Sequence, residues 1–193
     1  LDPLRYYLIK EVSFGNDGNI SQEKLEDCIN SDLANNYGNF CQRVISFNEK
    51  NCQLSIPEIS DFESEDLVIL NKISNSMDSL RSNIDNQELS IYTNFIVNCL
   101  FDANKYFNDQ EPWKKKSDIK RLNTIVYVSL EIIRKVSILL YPIIPETSLK
   151  VLKIFNLDKK KISFQSIKEH KTLLANTKIE KISILFKKIE KDD

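Results

Sequence analysis

Glycine and proline are scarce, three and five in 193 residues. That removes the turn punctuation an all-β chain needs and favours long helices joined by short connections. The four cysteines, Cys28, Cys41, Cys52 and Cys99, form no C-x-x-C pair, so they read as buried free thiols rather than a zinc or redox set. There is no glycine-rich phosphate cradle and no H-E-x-x-H helix. The single histidine, His170, lies in a lysine-rich tail with no serine or cysteine placed as a nucleophile, and reads as an ordinary surface residue. No residue is therefore expected to be catalytic or to bind a metal. The longest apolar stretch, 125–144, is interrupted by Glu131, Arg134 and Lys135 and does not suit a bilayer. With no N-terminal signal region, no membrane role and a cytoplasmic setting are expected. A net charge of -1 gives no overall pull toward nucleic acid. Any RNA binding has to come from a local patch.

What the chain does have is helical periodicity. Residues 1–12 suit a short helix with Pro3 in its first turn, where a missing N–H does no harm, and its abrupt start suggests a fragment of a longer protein. Residues 14–19 suit a turn, and Ser21 a cap. Leu25, Ile29, Leu33, Tyr37, Phe40, Val44 and Phe47 then recur at three- and four-residue steps. A loop is expected over 48–61, a helix capped by Ser64 running through Ile84, and another through Ile91, Phe95, Cys99, Ala103 and Phe107. Pro112 predicts an extended residue before it. Ser117 would cap a long helix that stops at Pro142, and a short helix with Leu149 and Leu152 follows. With no internal repeat, these elements predict an all-α antiparallel bundle.

Two features suggest RNA. Asp32, Asn36, Asn39 and Arg43 fall on one helical face opposite Leu33, Tyr37, Phe40 and Val44. The only tryptophan, Trp113, sits between Pro112 and three lysines. An aromatic face beside ammonium groups suits a stacked base with its phosphate. Each feature has a plainer reading: the stripe as a solvated helix face, the tryptophan as a core anchor.

The runs Leu1-Asp2-Pro3-Leu4-Arg5-Tyr6-Tyr7-Leu8, Phe14-Gly15-Asn16-Asp17-Gly18, Asp32-Leu33-Ala34-Asn35-Asn36-Tyr37-Gly38-Asn39-Phe40 with Arg43, and Tyr106 through Trp113 resemble the C-terminal part of methionyl-tRNA synthetases. The resemblance continues to Ile184-Leu185-Phe186-Lys187-Lys188-Ile189. It implies the helical bundle with which that family of class I enzymes recognises the CAU anticodon of tRNA(Met). Residues 1–20 would be the end of the segment following the catalytic domain, 21–156 the anticodon-binding bundle, and 157–193 a tail packing back on the bundle or on the catalytic domain. Trp113 would stack on an anticodon base, Arg43 would contact a base or phosphate, and Asp32 and Asn36 would read base edges. Asn39 ranks below them as a packing or backbone-bonding residue, and Lys114 and Lys115 would attract phosphate. Some members carry Asn in place of Asp32 and Arg in place of Asn36. Neither H-I-G-H nor K-M-S-K-S occurs here, so ATP with Mg and methionine would belong to a catalytic domain outside this chain, and the chain alone should not aminoacylate. The resemblance also implies a monomer. Two alternatives remain open at this stage: the bundle of another class I synthetase, such as those for leucine, isoleucine, valine or cysteine, and a helical protein-interaction domain.

Overall fold

The computed structural model describes residues 1–11 and 20–189. The turn expected over 14–19 lies outside them. The helices run α1 (Asp2–Glu11), α2 (Gln22–Cys28), a π-helical segment (Ile29–Gly38), α3 (Asn39–Cys52), α4 (Ser64–Asn75), α5 (Met77–Asp85), α6 (Leu89–Gln110), α7 (Ile119–Leu140) and α8 (Pro145–Lys153). Short 3-10 turns occupy Pro112–Lys114, Lys159–Lys161 and Phe164–Lys168. The expected all-α class holds.

The bundle is organised around α7. Ile125, Val126, Val128, Leu130, Ile132, Ile133 and Val136 are buried on successive faces, the pattern of a helix enclosed all round. It packs against α3, α4, α6 and α8. Ser129 and Ser137 return their hydroxyls to the carbonyls of Ile125 and Ile133 one turn back, which lets a polar residue sit inside. Tyr141-Pro142 stops the helix, and Pro145 opens α8 at a position that needs no N–H. In the same first turn of α8, Asp2 Oδ2 accepts from the Thr147 N–H at 2.7 Å and ties α1 to it.

Several boundaries differ from the sequence expectation. Ser21 does cap α2, accepting from the Lys24 N–H. The cap of α4 is Glu63, in a reciprocal box with Asp66, rather than Ser64. Asp118, not Ser117, caps α7 by accepting from the Arg121 N–H at 3.1 Å. In both cases a carboxylate one residue away holds the positive helix end better than a hydroxyl does. The helix expected from Ser64 through Ile84 breaks at Ser76, whose hydroxyl bonds back to the Lys72 carbonyl. α3 runs on through Cys52, ending at left-handed Gln53.

The tail is bound to α7 by charges that look, in sequence, like interruptions. Glu131 and Arg134 form a fully buried ion pair. Glu131 Oε1 accepts the N–H groups of Thr172 and Leu173 at 2.6 and 3.0 Å. Arg134 spends all five of its N–H donors, on Glu131, the Lys161 and Ser166 carbonyls and the Ser166 and Thr172 hydroxyls. Lys135 donates to the Ile167 carbonyl at 2.6 Å and faces His170 Nδ1 at 3.0 Å. His170 is therefore not a free surface residue: its Nε2 meets Asn71 Oδ1 at 2.9 Å, and burial, then Lys135, lowers its pKa. Farther on, the tail pairs with 54–56 through Asn176, Thr177 and Ile179. It then runs along α3 to the π-helical segment, where Phe186 lies over Gly38 and Asn30 exchanges two hydrogen bonds with the Ile189 backbone.

Candidate nucleic-acid interface

The polar stripe is not one exposed face. Asp32 and Asn36 are 5 % and 3 % exposed, whereas Asn39 is exposed and Arg43 half-buried. The expectation assumed 3.6 residues per turn, but over Ile29–Gly38 the hydrogen bonds reach five residues back, as from the Asn39 N–H to the Ala34 carbonyl. The wider turn rotates the stripe as it is followed along the chain, and α1 and α6 lie across it.

Inside, each residue has partners. Asp32 accepts from Lys10 Nζ at 2.5 Å, the Tyr6 hydroxyl at 3.0 Å and the Ser31 hydroxyl at 3.0 Å. Burial, and then the Asp32 carboxylate, holds the Tyr6 hydroxyl protonated far above its usual range and pushes the Cys28 thiol up to about 12. The four cysteines are free, with Cys28, Cys41 and Cys99 buried.

Asn36 leads outward. Its Nδ2 donates to the Val97 carbonyl at 3.4 Å, and its Oδ1 accepts from Asn104 Nδ2 at 3.0 Å. Asn104 and Asn108, one turn apart on α6, accept from Arg43 Nη1 and Nη2 at 3.2 and 2.6 Å. The guanidinium carbon lies 5.6 Å from the centre of the Phe107 ring, within cation–π range. Phe107 is buried and also meets Phe47 edge-on at 5.7 Å and Trp113 at 6.1 Å and 67°.

Trp113 is thus neither a core anchor nor a free loop residue. It is 41 % exposed, with one side on Phe107. Its mount is a single 3-10 turn, Pro112–Lys114, begun by buried Pro112. Glu111 before it is left-handed at φ 44° rather than extended, because it ends α6 as well as preceding the proline. Of the following lysines, Lys114 is tied to Glu111 at 2.7 Å, Lys115 is half-buried and Lys116 is exposed.

The fold therefore brings Arg43 and Trp113 to one buried ring, with Asn39 one turn before Arg43 on α3. It sets Asp32 and Asn36 beneath the surface. Phe107 was expected only as core, and Asn104 and Asn108 were not singled out. Their four-residue spacing, on the face of α6 that carries Val97 and Leu100, was the available signal. Among the described residues, no group of three His, Cys, Asp or Glu side chains could hold a metal ion, and no described helix is long and apolar enough to cross a membrane.

Residues 56–193 match the family described as the anticodon binding domain of methionyl tRNA ligase, and residues 1–45 match that of class I tRNA synthetases (M). A methionine–tRNA ligase of Brucella suis is 38% identical over 168 residues, which is 86% of this chain and 33% of the relative. The corresponding ligase of Thermotoga maritima is 34% identical over 194 residues, covering 100% of this chain and 31% of the relative. The crystal structure of apo methionyl-tRNA synthetase from Mycobacterium tuberculosis superposes with a TM-score of 0.92 at 31% identity, over 99% of this chain and 39% of that one. A further structure of that enzyme is a complex with methionyl-adenylate. The chain spans about a third of the curated relatives it matches. On its fold and on these likenesses, the chain belongs to the family of anticodon-binding domains of methionyl-tRNA ligases.

Proposed function

We propose that this chain recognises the CAU anticodon of tRNA(Met) as part of a methionine-tRNA ligase working in the cytoplasm as a monomer. The observation that carries the reading is the joint mounting of Arg43 and Trp113 on Phe107, with both side chains reaching solvent. Trp113 offers a ring face to a splayed base and Arg43 offers donors to a base edge or phosphate. Asn39 lies beside Arg43 on the same face. Lys115 and Lys116 add attraction for phosphate, with Lys114 contributing less because Glu111 screens it. Asp32 and Asn36 serve the surface from below, by holding the elements that carry it.

The partners are the tRNA anticodon stem-loop and a catalytic domain of the same enzyme. That domain supplies the site for ATP with Mg and for methionine. This chain has neither of the signature sequences of that site and does not aminoacylate alone.

The test is direct binding of the 193-residue chain to anticodon stem-loops at low salt. The CAU stem-loop should bind more tightly than one with a changed anticodon. Trp113→Ala should weaken it by about 5- to 150-fold, the equivalent of roughly 1–3 kcal/mol for one stacked base. Equal affinity for unrelated anticodons would overturn the proposal.

A further inference from the structure

The cations around the Arg43–Trp113 surface are not treated alike. Lys114, next to Trp113, pairs with the Glu111 carboxylate, and Lys105, next to Asn104 in the chain, pairs with Asp109. Arg43 is held instead by two neutral amide oxygens and an aromatic ring. Among the described residues it faces no carboxylate at ion-pair distance.

The polarity of the Asn104 amide is set from behind. Asn36 Nδ2 points at the Val97 carbonyl, and Asn104 Nδ2 at both the Leu100 carbonyl and Asn36 Oδ1. Carbonyl oxygens only accept, so each amide must turn its NH2 inward and its oxygen outward. The outward oxygen of Asn104 and that of Asn108 one turn later meet the two ends of the guanidinium fork. Two of its five N–H donors are thereby engaged, and three remain for a ligand.

We infer that Asn36, Asn104 and Asn108 are positioning residues that fix the plane of Arg43 while leaving its charge unneutralised for RNA. The inference rests on the proposed role of Arg43 and Trp113. A carboxylate at either outer position would hold Arg43 more strongly, but it would cancel the charge that an anionic, acceptor-rich ligand needs. Amides give orientation without cancellation.

Asn108→Asp separates these effects, because Asn108 is exposed and the change is nearly isosteric. It should leave the melting temperature unchanged or raised and weaken the CAU stem-loop by about tenfold, from the loss of electrostatic complementarity. In an Arg43→Met background the same substitution should weaken binding much less, since its effect runs through Arg43. Asn104→Ala should lower discrimination between the CAU loop and a changed loop in the parent chain, with no further loss in the Arg43→Met background. Unchanged binding by Asn108→Asp, or equal losses in both backgrounds, overturns the inference; the broader reading then still stands if Trp113→Ala weakens binding. Failure of every stem-loop to bind selectively would sink that broader reading instead.

Discussion

Glu131→Ala tests whether the buried charges of α7 hold the tail in place. Glu131 accepts three hydrogen bonds in a site closed to solvent, from Arg134 Nε at 2.7 Å and from the backbone N–H groups of Thr172 and Leu173. Alanine would leave a fully buried guanidinium without its counter-charge, a change that costs about 3–5 kcal/mol. It would also orphan two backbone donors, each worth about 1–3 kcal/mol if it stays dry. These contributions overlap, because a released tail would let water reach all three groups. A net loss of ~5 kcal/mol is expected, comparable with the whole stability of many domains.

Urea denaturation followed by circular dichroism would measure that loss. Limited proteolysis would locate it, since cleavage should begin within 159–179 before the helices melt. Glu131→Gln keeps an acceptor for the two N–H groups but loses the charge and sets an amide NH2 against the Arg134 Nε–H donor, so it should lose less than Glu131→Ala by roughly 1–3 kcal/mol. A loss below about 1 kcal/mol for Glu131→Ala, or a larger one for Glu131→Gln than for Glu131→Ala, would refute the reasoning.

Two other substitutions probe the same framework. Gly38→Ala would ordinarily gain about 1 kcal/mol inside a helix, but an added Cβ here meets the Leu33 carbonyl oxygen at 3.0 Å beneath Phe186. A fall in melting temperature of roughly 2–4 °C is expected, and a rise would show that the π-helical backbone at Leu33 gives way easily. Lys135 is fully buried, and desolvation lowers its pKa from 10.5 to about 8. Below pH 8 both folded and unfolded chains hold the proton; between there and 10.5 the unfolded chain holds more, so stability rises with pH on this account. Buried thiols and phenols titrate in the same window and cancel when the parent is compared with Lys135→Met. The difference in unfolding free energy should move toward the parent by roughly 3 kcal/mol from pH 8 to 10.5, and a flat difference would refute it.

The all-α class was legible because hydrophobic steps of three and four residues persist along most of the chain, with few glycines or prolines to break them. Ser21 as a cap, Pro3 in a first turn and Pro142 as a stop were legible for local reasons, since each acts within one turn of its own position. The π-helical winding at 29–38 was not. Its cause lies outside the segment, in the Asp32 partners on α1, the Asn36 partners on α6 and Phe186 of the tail over Gly38. The burial of Glu131, Arg134 and Lys135 was equally hidden, because their partners on the tail stand 27 to 42 residues away. Within the site, Trp113 and Arg43 could be picked out by residue type and local setting. Asn104 and Asn108 could not, since an asparagine on a helix becomes informative only when its amide is seen to face a guanidinium.

Burying half of the polar stripe changes how the surface gains its shape. Had Asp32, Asn36, Asn39 and Arg43 all stood in solvent, four mobile side chains would have had to be ordered on binding, at about 0.5–1.5 kcal/mol each. As built, the deeper two are immobilised when the chain folds, and Asn36 passes its constraint through Asn104 to Arg43. Phe107 joins the same unit to Trp113 and, through Phe47, back to α3. Two helices and a 3-10 turn therefore present one guanidinium and one indole at a separation set by a single buried ring. On the proposed reading, that preorganisation would let a small patch on a chain with net charge -1 act on RNA without any broad basic surface, with the geometry of Arg43 as well as its charge selecting the ligand.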